Sequence, residues 1–212
     1  MADSFDTLSL LTEVSTESAL SPREIVREFP PSNSHVISAT RLWVERVVIG
    51  FNLCPFARRE FDAGRVRFTV SVAETEEALL TDLHQEIEQL LGDPAVETTL
   101  LVHPRTLDDF MAYNQFLSVA DALLRELGLE GVLQIASFHP DYRFADAEPD
   151  AGENFTNRSP FPMLHLLREE SVSHAVASHP DVDGIPVRNV TLLSAMGARQ
   201  LRDLCEACHR DA

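Results

Sequence analysis

One short stretch of this chain gathers side chains that could do chemistry together. In ASFHPDYRF, residues 136–144, an apolar run breaks at His139-Pro140-Asp141, and Tyr142 and Arg143 follow directly. A second apolar run, ETTLLV (97–102), stops in the same way at His103-Pro104. Proline after each histidine ends a strand and stiffens the exit of the imidazole. Further on, ENFTNRSPFPMLH (153–165) brings Asn157, Arg158 and Ser159 before an apolar segment that holds His165. Cys54 stands apart in NLCPF.

Three chemistries fit these residue types. His103, His139 and Asp141, with His165 or Cys54, could ligate a divalent metal such as zinc, iron or manganese, because imidazole and carboxylate suit all three. The spacing matches no established metal signature. Cys54 could instead be a nucleophile with His139 or His103 as its base and Asp141 orienting the ring. In the third, the histidines serve as general acid and base on a small anion held by Arg158 and a helix start, with Asn157, Ser159, Tyr142 and Arg143 around it. Plainer roles stand beside each. A strand-end histidine can simply bond a loop carbonyl, a cysteine is often a small buried apolar residue, and Ser159-Pro160 reads as ordinary helix capping.

The elements that must position these groups can be read from periodicity. SATRLWVERVVIGF (38–51) repeats its apolar residues at helical spacing. VRFTVSV (66–72) is a strand, then TEEALLTDLHQEIEQLLG (75–92) a helix with Thr75 as cap and Gly92 at its end. ETTLLV is the second strand, and a helix over 106–128 starts at Thr106. GVLQIASF (131–138) is the third strand. Residues 140–158 form a polar loop, 159–179 a helix, and 189–209 a last helical region.

Strands joined by helices usually lie parallel with right-handed crossovers. The expectation is an α/β fold: a small, mostly parallel sheet of three strands with crossover helices and extra flanking helices. In such sheets ligands bind beyond the carboxyl ends of the strands, where His103 and His139 would emerge together. Residues 1–35, closed by Pro30-Pro31 and a polar cluster, read as a weakly ordered extension, 36–198 as the α/β domain and 199–212 as a helical tail.

GFNLCPFA, TTLLVHP, LEGVLQIASFHPDYRFA and NRSPFPMLHLLRE together closely resemble the bacterial family known as domain of unknown function 1415, over roughly residues 40–198. That resemblance implies no activity, substrate or cofactor, and supplies no catalytic residue.

Composition narrows the classes. With 34 acidic and 17 basic residues the net charge is -17, which disfavours nucleic acid and anionic membrane as partners. The N-terminus lacks the positive charge of an export signal and no apolar run is long enough to span a bilayer. Three cysteines fit a reducing, cytoplasmic setting. Two cysteine patterns, Cys54-Pro55 and the Cys205, Cys208, His209 run of LCEACHR, resemble haem-associated sequences. A frayed terminal helix is the plainer reading of the second. The expected function is a cytoplasmic enzyme acting on a small anionic molecule at a His/Asp site, with or without a metal. The alternative is a non-catalytic metal- or haem-binding or sensing protein using the same residues.

Overall fold

Helix α1 (Asn33–Trp43) opens the described part of the chain, capped by the Ser32 hydroxyl, which accepts from the His35 N–H. The computed structural model of the protein describes residues 31–212. The expected N-terminal extension lies outside the described residues as far as Pro30. The coil of α1 widens into a π-helical stretch over Val44–Ile49. A corner at Cys54-Pro55 then leads to the short α2 (Ala57–Asp62).

The next elements follow the reading of the periodicity closely. Strand β1 (Val66–Val70) precedes α3 (Glu76–Gly92), where the Thr75 hydroxyl accepts from the Ala78 N–H at 3.2 Å. Strand β2 (Thr98–Val102) and α4 (Phe110–Glu126) come next. The cap of α4 is Asp109 rather than Thr106, whose hydroxyl is drawn off to the Ala73 carbonyl. Strand β3 (Leu133–Phe138) follows.

Beyond β3 the expectation of a single helix over 159–179 fails. Met163–Arg168 is a fourth strand, β4, and only Glu169–Ser178 is helical, as α5. Helices α6 (Gly184–Met196) and α7 (Ala198–Arg210) complete the chain. The sheet is therefore four-stranded and mixed, not three-stranded and mostly parallel. Its order is β1-β2-β4-β3, with β1 and β2 parallel and β4 antiparallel to both β2 and β3. The reason is the β3–β4 connection. It is a loop with one 3-10 turn (Gly152–Thr156), not a crossover helix, so the chain returns in the opposite direction between β2 and β3.

Helices cover both faces. On one, α3 and α4 press Leu79, Leu83, Tyr113 and Phe116 onto Leu101, Leu164 and Leu166. On the other, α1, α6 and α7 bring Val36, Trp43, Leu193, Leu201 and Cys208 against Leu100, Val102 and Met163. The terminal helix α7 is thus built into the core. It is also tied to the α1 side by Arg46, which pairs with Asp211. No helix among the described residues is long and apolar enough to cross a membrane.

Candidate functional site

His103 and His139 do leave the same edge of the sheet. β2 and β3 point the same way, and Val102 and Phe138 both register with Met163 of β4. Both histidines are fully buried. Tyr113 of α4 lies between them, its ring 5.8 Å from His103 and 5.1 Å from His139. Its hydroxyl donates to the Met163 carbonyl at 2.8 Å and accepts from the Phe138 N–H at 2.9 Å.

Both imidazoles are turned into the loops at this edge, and His139 reaches across to the loop that follows β2. The Asp141 N–H donates to His139 Nδ1 at 3.0 Å, so the ring proton sits on Nε2 and is donated to the Leu107 carbonyl at 3.1 Å. His103 donates from Nδ1 to the Thr106 carbonyl at 2.9 Å. Its Nε2 is a buried acceptor with no partner among the described residues. Burial pushes the His103 pKa down to about 4, and His139 nearby adds to the effect. These rings are neutral posts that hold two loops.

The expected anion-binding side is differently employed. Ser159 starts no helix; its hydroxyl donates to the Phe161 carbonyl at 2.7 Å. Asn157 donates to the Ser137 carbonyl at 3.0 Å. Arg158 donates to the carbonyls of Tyr142 and Pro149 and lies 4.4 Å over the Phe155 ring, with Asp141 contributing to its electrostatic surroundings. Tyr142 packs on Phe110 and Phe144, and Arg143 is exposed. Together these residues knit the 139–162 loop onto the sheet edge.

His165 and Cys54 are elsewhere. In the β4 register His165 stands opposite Leu100 and Ala136, on the α1 face of the sheet, whereas His103 and His139 stack on Tyr113 on the α4 face. The sheet separates His165 from His103 and His139. Among the described residues no three His, Cys, Asp or Glu side chains are grouped as a metal ion requires. The terminal run is equally engaged in packing. Cys208 is buried and donates to the Leu204 carbonyl, His209 donates to the Pro160 carbonyl at 3.1 Å, and burial raises Cys205 to about 12.

What Cys54 and His165 share is a cavity of about 700 Å³ on the α1 face. Strand residues Thr98, Leu100, Gln134, Ala136 and Phe138 floor it, with His165 among them. Trp43, Val44 and Val48 form one wall, and the Cys54–Ala57 corner another. Ser171, Val172 and Ala175 of α5 close a side. The cavity lies over the sheet face and extends towards Val66, Glu97 and Leu167, at the amino ends of the parallel strands. Arguments from strand carboxyl ends could not have found it.

Its polar groups are mostly neutral. The Thr98 hydroxyl donates to the Leu166 carbonyl at 2.6 Å, so it accepts from His165 Nε2–H at 2.7 Å. That leaves His165 Nδ1 as a lone-pair acceptor. Burial lowers the ring's pKa to about 4. Burial likewise raises the Cys54 thiol, while the N–H groups of Phe56 and Ala57 pull it the other way. The charged residues of the lining are three arginines and two glutamates. Arg65 bonds Glu60 and Glu97, Arg59 bonds Glu60, and Arg168 donates to the carbonyls of Leu90 and Val96.

A family model described as "Protein of unknown function (DUF1415)" matches residues 35–203. No curated protein and no solved structure matches the chain.

Proposed function

Since the chain belongs to the family of proteins of unknown function DUF1415, whose matched span holds every residue of the cavity, we propose that it is an enzyme that takes a small, largely apolar organic molecule into that cavity and acts on it through Cys54 and His165. The observation that carries this reading is the cavity itself. About 700 Å³ lies within the range of small-molecule sites, and a thiol and a neutral imidazole sit on its wall. Cysteine and histidine lining one cavity suit thiol addition to an electrophilic, multiply bonded carbon of the bound molecule. A carbon–sulfur bond forms as the π bond of that carbon opens, and the thiol proton passes by way of His165 Nδ1 to the atom that receives the electron pair. Both groups are uncharged at neutral pH, so the proton moves only as the new bond develops. In this reading His103, His139 and Asp141 position loops and do not touch the ligand.

The test uses two thiol reagents, uncharged N-phenylmaleimide and anionic iodoacetate, with the labelled peptide identified by mass spectrometry. Cys54 should react with the maleimide at least about tenfold faster than with iodoacetate, relative to the same pair of rates on glutathione. His165→Leu should slow the maleimide reaction at Cys54 severalfold with the fold intact. Equal relative rates, with no effect of His165→Leu, would remove Cys54 from the proposal.

A further inference from the structure

The floor of the cavity carries one amide whose direction the strand itself fixes. Successive side chains of a strand point to opposite faces. On β3, Leu133 and Ile135 pack into the core under α3 and α4, whereas Gln134, Ala136 and Phe138 line the cavity. Gln134 therefore stands on the cavity face, opposite Leu167 and next to the Ala136–His165 pair on that face. Its side chain is half-buried and makes no hydrogen bond among the described residues, and neither amide atom is enclosed by protein. Ser171 comes to the same end of the cavity. Leu133 registers with Arg168, and the Glu169 N–H donates to the Val132 carbonyl at 2.9 Å, so α5 starts beside the start of β3. The Ser171 hydroxyl, in the first turn of α5, also makes no hydrogen bond among the described residues. Beside the apolar Ala136, Phe138 and Leu167, the cavity thus has a polar end that the chain leaves unused.

The chemistry of Cys54 says what such an end would serve. Addition of a thiol to a multiply bonded carbon needs an atom to take the electron pair, and a conjugated carbonyl oxygen is suited to that. Negative charge gathers on the oxygen as the carbon–sulfur bond forms, and a fixed N–H donor stabilises it. The Thr98 hydroxyl cannot be that donor, because it donates to the Leu166 carbonyl. We infer that the ligand is a conjugated unsaturated carbonyl compound, and that Gln134 binds its oxygen through the side-chain N–H. Sulfur bonds to the carbon β to the carbonyl, the carbon–carbon π pair moves towards the oxygen, and the thiol proton ends on the α carbon. The product is the saturated thioether, and no oxidant or reductant is needed. The inference rests on the proposed function for the attack by Cys54.

N-phenylmaleimide and benzyl bromide carry the same ring, and only the first has conjugated carbonyl oxygens. Their rates at Cys54, read by peptide mass spectrometry, are each divided by the rate on glutathione. In the parent chain the corrected maleimide rate should exceed the corrected benzyl bromide rate at least about tenfold. Gln134→Leu should bring the two to within about twofold of each other by slowing the maleimide alone. An unchanged benzyl bromide rate shows that fold and access are intact. Gln134→Glu keeps the size of the side chain, lacks the N–H and should lose the preference in the same way. If the parent chain shows no preference, if both variants keep it, or if both reagents slow together, the role of Gln134 is overturned, and labelling of Cys54 in the parent leaves the cavity reading standing. If Cys54 of the native chain reacts with neither reagent, both are overturned.

Discussion

Tyr113 is the residue on which the sheet edge turns. Its one hydroxyl serves the Met163 carbonyl and the Phe138 N–H, and its ring separates His103 from His139. Tyr113→Phe keeps the ring and strands both backbone groups. Urea unfolding should show a loss of about 1–3 kcal/mol, with the fold unchanged by circular dichroism. Buried histidines make stability depend on pH in a definite sense. His103 and His165 titrate at about 4 in the folded protein against 6.5 when exposed. As pH falls, the unfolded chain binds these protons first. Their contribution is complete above about 6.5, shrinks through the interval and is gone below about 4, a loss on the order of 3 kcal/mol for each ring. Urea midpoints at pH 7.0 and 5.0 should show the fall, and His165→Leu should remove part of it. What could be read in advance was that two strands end in histidine at one edge. The direction of the rings could not, because their acceptors are carbonyls set by loop geometry. Leu107, which receives His139, sits at φ 61°, a conformation no propensity would assign to leucine.

At the scale of elements, the reading of periodicity succeeded where runs were long and failed where one was short. The apolar faces of α3 and α4 extend over several turns and admit one interpretation. MLHLLR is six residues long, and a run of that length suits a buried strand or a helix equally. Its signal lay upstream. Pro160 and Pro162 bracket Phe161 and bias it to an extended backbone, which favours a strand beginning at Met163. The cavity was illegible for a related reason. It arises where α1 gives way to the Cys54 corner and α5 folds back from β4, and none of these joins has a pattern in one dimension. A different join is testable by one atom. A Cβ on Gly152 would meet the Ser194 nitrogen of α6 at 2.5 Å, so the 3-10 turn and α6 are in backbone contact. Gly152→Ala should destabilise by about 1–3 kcal/mol in thermal or urea unfolding, whereas Gly92→Ala, with nothing within 4 Å of its Cβ, should leave the midpoint nearly unchanged.

For the whole molecule, a charge of -17 on 212 residues means that the folded chain repels itself. Adding sodium chloride from 20 mM to 300 mM should raise the melting temperature by a few degrees as screening shortens the range of that repulsion; a fall would show that ion pairs such as Arg67–Glu86 outweigh it. The central position of β4 has a further consequence, which concerns time. A ribosome delivers β1, β2 and β3 in order, yet β2 and β3 are not partners of each other, and the strand that joins them is made last. Until residue 168 has emerged, β3 has no neighbour and one side of β2 is open. Between residues 138 and 168 the nascent chain carries an unpaired β3 and an open side of β2, the situation in which strands pair with the wrong chain. A protein stopped at residue 158 should therefore aggregate or stay unfolded rather than form three-quarters of a sheet, and whatever shields nascent chains in the cell should hold this one until its last strand arrives.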